Sequence, residues 1–230
     1  MIGLIYKIKL TFLNIFAEMT FTILVHDPLN QTFGGATATG NICVGGLVLR
    51  GDARGGMTAS QGAEVSTLWG EDVITLMKKK FSSEKAIKQV ISIDTKKEYR
   101  QLSAIDLEGN CYCFSGKLNE GFIDHYYDKN LVVSGNTLTK KKVIQSIKSG
   151  YNKTSNSMAQ RLITALKCGH QEGGDKRGLM SAAILIISKK HPPIDLRVDF
   201  SISPLHDLEI LYQKFYEKNF FRWFKNLPVR

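Results

Sequence analysis

The chain has 230 residues, 43% of them hydrophobic and 23% charged, and carries a formal net charge of +10 from 31 Lys and Arg against 21 Asp and Glu. Such proportions exclude a largely disordered chain and suit one globular domain that buries roughly 70% of its unfolded surface. The charge is spread rather than blocked: Lys78–Lys80 and Lys140–Lys142 fall at helix edges without a nucleic-acid motif beside them, so no specific nucleic-acid partner is expected.

Residues 1–18 are apolar but interrupted by Lys7 and Lys9, too short for a convincing membrane span, and Ala17-Glu18-Met19 is a poor cleavage site. We rank a start codon set upstream of the true one first, a removed leader second and a retained helix third. Residues 1–19 are accordingly expected to be absent from the mature protein, with a single domain over 20–230. A membrane location is not expected.

The first strand is Thr20–Val25, followed by the turn His26–Asn30 and by strands expected at Thr32–Thr39, Ile42–Leu49 and Gly56–Ser60. Helices are expected around Leu68–Lys79 and from the N-cap Ser83 to Ile93. Strands return at Tyr99–Ile105 and Asn110–Phe114, joined by Asp106-Leu107-Glu108-Gly109, and at Asn130–Gly135. A second helix pair spans Lys140–Ser149 and Ser155–Lys167, with Gly169 as its C-cap. The loop Gly173–Gly178 leads into strands at Ser181–Ser188 and Asp195–Phe200, and a helix begins near Pro204. Strands and helix pairs in this order fit either a four-layer αββα sandwich or a two-layer α+β domain. The segments Gly51–Gly55 and Gly116–Asp128 are read as loops.

Cys43, Cys111, Cys113 and Cys168 lack zinc spacing, and none of the five histidines pairs at i, i+4, so no metal and no cofactor is expected. The cysteines read as reduced thiols of a cytoplasmic protein. Thr20 stands directly after Met19. As a first residue it would carry a hydroxyl and an α-amine with a pKa of about 7.7–8.0, a nucleophile and its base in one residue; embedded in the chain it is an ordinary β-branched strand residue.

Thr20–Ile23, the Gly-rich second strand, Ser60-Gln61, Ser134-Gly135-Asn136, Gly173–Gly178, Ser181–Ala183 and Asp195–Asp199 occur in the order found in a bacterial family. The chain is similar, from Thr20 to about Tyr212, to domain of unknown function 1028 (DUF1028), a family placed in the N-terminal nucleophile (Ntn) hydrolase superfamily. The resemblance implies the four-layer αββα sandwich of two antiparallel sheets and a chain that begins with threonine. It departs at Thr39-Gly40, where the family often carries a cation after a small hydroxyl residue. Arg54 or Arg177 would then have to keep the amine neutral.

On that resemblance Thr20 is the expected nucleophile. Asn136 is read as an oxyanion donor or a turn residue, and Ser181 as a proton relay or hydrogen-bond partner of the amine. Gln61 is read as a substrate-side donor or a satisfied strand-end amide, and Asp175 with Arg177 as a substrate-binding pair or a structural cap. The expected activity is hydrolysis of a linear amide bond in a small-molecule or peptide-like substrate. The alternative is a catalytically inactive binding protein for an acidic partner. The aromatic, basic tail from Leu211 would cover the core or join subunits in a homo-oligomer.

Overall fold

Along the first strand, Phe21, Ile23 and Val25 point to one side and Thr20, Thr22 and Leu24 to the other, and all six are buried. A strand buried on both faces requires a layer above and a layer below it. The computed structural model describes residues 19–119, 121–173 and 178–229.

The elements run β1 (Thr20–Asp27), β2 (Thr32–Thr39), α1 (Val44–Val48), β3 (Leu49–Asp52), β4 (Gly56–Gly62), α2 (Thr67–Lys78) and α3 (Ser83–Ser92). Then follow β5 (Arg100–Asp106), β6 (Cys111–Ser115), β7 (Phe122–Asp128), β8 (Leu131–Leu138), α4 (Lys142–Asn152) and α5 (Met158–Gly173). The chain continues through β9 (Ser181–Ser188), β10 (Ile194–Val198), α6 (Pro204–Phe215) and α7 (Lys218–Phe224).

One antiparallel sheet has the order β10-β9-β2-β1-β8-β7 and the other β3-β4-β5-β6. Helices α4 and α5 cover the outer face of the larger sheet, α2 and α3 that of the smaller, and the inner faces meet through β1, β2 and β8 against β4 and β5. This is the αββα sandwich that the resemblance implies. Three cores follow from it. Phe21, Ile23 and Val25 pack under α4, α5 and α6. Leu24, Phe33, Met57, Ile105, Val132 and Ile187 fill part of the space between the sheets. Trp69, Val73, Ile87 and Leu102 join the smaller sheet to α2 and α3.

The strand expected at Ile42–Leu49 is instead the one-turn helix α1 running into β3. Val44 and Val48, four residues apart, turn to the same side and are buried in the inter-sheet core. Gly45 permits this, because a Cβ there would lie 2.6 Å from that of Ala183. Gly169 does not cap its helix. α5 continues to Gly173, and Gly169 is the place where α4 approaches, a Cβ there meeting Ile147 Cγ1 at 2.5 Å. The segment read as a loop at Gly116–Asp128 contains β7, whose half-exposed residues and two aspartates hide an edge strand paired to β8. In the tail, Phe215 and Phe224 are buried against the helix-side core, whereas Phe220 and Trp223 face outward. Among the described residues no helix is long and apolar enough to cross a membrane.

Candidate active site

Strand register assembles the site. Thr20 is level with Thr39 on one neighbour and with Asn136 on the other, and Thr39 in turn with Ser181. Residues directly opposite in antiparallel strands share a face, so Ser181, Thr39, Thr20 and Asn136 stand abreast at one end of the inner face of the larger sheet. The row behind holds Thr37, Thr22 and Ser134. From the smaller sheet, Gln61, Gln101 and Ser115 form the facing row.

Hydrogen bonds tie the two rows together. Gln61 Nε2 donates to Gln101 Oε1 at 2.7 Å and to the Thr20 carbonyl at 3.3 Å, while Gln61 Oε1 lies 2.6 Å from Thr22 Oγ1. Gln101 Nε2 donates to the Gly135 carbonyl at 3.1 Å and lies 2.9 Å from Ser115 Oγ. The Gln61 amide is thereby spent on protein groups and holds β1 in place. Thr20 Oγ1 is 3.1 Å from Thr39 Oγ1, and Thr39 Oγ1 donates to the Met19 carbonyl at 2.7 Å.

Asn136 differs from its neighbours. It is fully buried, and its Nδ2 has no partner among the described residues. Leaving such a donor unsatisfied costs about 1–3 kcal/mol, so an unpaired amide beside a candidate nucleophile is a pointed observation.

Ser181 stands two strands from Thr20, roughly 10 Å at the usual strand spacing. Its Oγ donates to the Asn41 carbonyl at 2.6 Å and accepts from the Val44 N–H at 3.1 Å, which pins the β2–α1 connection and starts α1. Asp175 and Arg177 lie outside the described residues. Arg54 pairs with Asp52 in the β3–β4 turn, and β4 runs from Gly56 beside that turn to Gln61 at the site, a span of roughly 17 Å. The expectation that Arg54 could replace the cation missing at Gly40 is therefore corrected: it sits at the wrong end of the strand.

Two thiols on the inner face are not rival nucleophiles. Burial pushes Cys111 and Cys113 up to about 12, so both stay protonated at neutral pH. His125 Nδ1 lies 3.3 Å from Ser115 Oγ, and burial pushes its imidazole below the ordinary histidine value against the upward pull of Asp124.

Residue-by-residue reading of the chain missed Thr39, Thr22, Gln101, Ser115 and His125. The threonines carried a signal: Thr20-x-Thr22 and Thr37-x-Thr39 put hydroxyls on one face of two adjacent strands, where a core strand usually carries hydrocarbon. The glutamine, serine and second histidine carried none, because only the meeting of the sheets brings them here.

The model of a family of unknown function, DUF1028, matches residues 20–208. The crystal structure of protein SPO2555 from Silicibacter pomeroyi, which also matches DUF1028, superposes with a TM-score of 0.88 at 39% sequence identity, covering 92% of each chain. Eukaryotic HslV from Trypanosoma brucei aligns over 73% of this chain and 99% of its own, at 9% identity and a TM-score of 0.45, from which nothing about activity follows. No curated protein matches the chain.

Proposed function

The chain belongs to the family of unknown function DUF1028, and from the geometry of its inter-sheet site we propose an amide hydrolase that uses Thr20 as an N-terminal nucleophile. The observation that carries this reading is Asn136: a buried amide donor without an acceptor, level with Thr20 on the adjacent strand.

With Met19 attached, the Thr20 nitrogen is a peptide amide and has no basicity. Removal of residues 1–19 gives it a free amine of pKa about 7.7–8.0, partly neutral at pH 7. It also releases Thr39 Oγ1 from the Met19 carbonyl to steady the Thr20 hydroxyl 3.1 Å away. Thr20 Oγ1 then attacks the amide carbonyl and passes its proton to the α-amine. Negative charge develops on the former carbonyl oxygen, and Asn136 Nδ2 donates to it. The amine returns the proton to the leaving nitrogen, and water resolves the ester.

In this scheme Gln61 and Gln101 are positioning residues: they hold β1 and β8 at fixed separation, so the hydroxyl and the Asn136 amide keep their spacing. The four free cysteines suit a reducing cytoplasm, where we place the reaction. Intact mass spectrometry of protein purified from its own host tests the scheme. The expected mass begins at Thr20; fully active material that retains residues 1–19 overturns it.

A further inference from the structure

Resting on Thr20 as the nucleophile, we infer that the group the substrate places beside the scissile bond is a short, uncharged aliphatic one, about the size of a valine or leucine side chain. Among the described residues a narrow cleft of about 40 Å³ reaches Thr20, with Thr20, Thr39 and Gln61 at its base. One water needs about 10–15 Å³ of such space, so the cleft takes roughly three or four heavy atoms and no ring.

Five aliphatic side chains share its lining with neutral polar ones. Val44 and Val48 of α1 line it from the buried side, and Ile42, Leu47 and Val65 form a rim that is 49%, 38% and 37% exposed. Exposed hydrocarbon ringing an entrance is a surface made for an apolar group. The polar lining is neutral: Asn41, whose side-chain oxygen accepts from the Ile42 N–H at 2.9 Å, the two threonines and Gln61. The described lining, aliphatic side chains beside neutral amides and hydroxyls, offers an aliphatic group close contact and a charged group no ion pair. The selectivity comes from α1, because the turn from Val44 to Val48 aims both valines at the cleft while Gly45 backs onto Ala183.

Labelling by β-lactones tests the inference without a known substrate. In the labelling step Thr20 Oγ1 forms an ester bond to the lactone carbonyl and the ring C–O bond breaks. The hydroxyl proton passes by way of the α-amine to the released alkoxide, and nothing is oxidised or reduced. Protein whose intact mass begins at Thr20 is treated with three lactones that differ only in the substituent beside the carbonyl: isopropyl, carboxymethyl or aminopropyl. Adducts are located by intact mass and peptide mapping.

The isopropyl lactone is expected to label Thr20 at least about tenfold faster than either charged one, within the roughly 10- to 200-fold range of apolar pockets. Leu47→Asp, at the rim, should shift the preference toward aminopropyl, and Val65→Lys toward carboxymethyl, so one variant serves if the other fails to fold. Labelling of Thr20 by all three at similar rates, faster labelling by a charged lactone, or unchanged preference in both variants overturns the aliphatic assignment and leaves Thr20 as the nucleophile. No adduct on Thr20 with any lactone overturns the nucleophile and this inference together.

Discussion

The space between the two sheets is built in two unlike halves from the same strands. Toward the C-terminal end of β1 it is hydrocarbon: Leu24 and Phe33 with Met57, Ile105, Val132 and Ile187. Toward the N-terminal end it is hydroxyls and amides: Thr20, Thr22, Thr37, Thr39, Gln61, Gln101, Ser103, Ser134 and Asn136, all buried. The hydrocarbon half contributes stability in proportion to area removed from water and tolerates approximate fit. The polar half holds only where its donors find acceptors, and the amide of Asn136 is left over there, as the buried Nε2 of His26 is at the other end. Buried polar groups in place of hydrocarbon mark the end of the sandwich to which we assign the proposed chemistry.

The division is broken most severely at Thr20. Thr20→Ala should remove essentially all amide hydrolysis, whereas Thr20→Ser and Thr20→Cys keep a fraction, each retaining a nucleophilic atom on Cβ. One extra residue before Thr20 leaves the hydroxyl but acylates the amine. It should lower the rate by roughly 10²- to 10⁴-fold, the worth of general-base assistance, in the same hydrolysis assay. A fully active extended protein would place the chemistry elsewhere.

Asn136→Ala should come next, with kcat reduced roughly 10²- to 10³-fold and KM little changed, as for the loss of one oxyanion donor. Because Nδ2 has no partner to lose, unfolding in urea should shift by no more than about 1 kcal/mol. A large loss of stability with unaltered kcat would assign Asn136 to the scaffold.

Leu24→Ala, in the hydrocarbon half on the same strand, should show the opposite profile. It should cost about 2–5 kcal/mol in urea unfolding while the folded fraction keeps its turnover number. An equal loss of kcat would show that the two halves are not separable.

The smallest effect is expected from pH. His26 stacks on Phe33 with ring centroids 4.2 Å apart, at the hydrocarbon end. Burial pushes its imidazole below the ordinary value of 6.5, outweighing the hydrogen-bonding partner Asn130 and the carboxylates of Asp27 and Asp106, which pull it up. The unfolded chain therefore binds this proton more readily than the folded one. Its contribution is complete above about pH 6.5 and is lost as the pH falls from there toward the folded value. The melting temperature should drop between about pH 7.5 and about pH 5.5, and His26→Phe should flatten part of that slope. His125, which burial also pushes down, adds to the same slope.

Much of this was legible in the chain. The run Thr20–Val25 named a strand, the two helix pairs were placed between strand runs, and Met19-Thr20 drew attention to a residue that carries hydroxyl and amine together once it is first in the chain. The helix α1 lay beyond it. Val-Gly-Gly-Leu-Val satisfies strand and helix spacing alike, and the choice fell to Ala183, which leaves room beside it for a glycine, and to Ser181 Oγ, which accepts from the first helical N–H.

By itself the sequence determined the periodicities and the residue types, because these depend on neighbours a few positions away. The tertiary structure alone decided that Thr20 and Asn136, more than a hundred residues apart, stand level on adjacent strands. It alone decided that Gln61 spends its amide while Asn136 keeps a donor free. A hydrogen-bond inventory is settled by which groups meet across the sheets, and no local pattern in a chain contains that information.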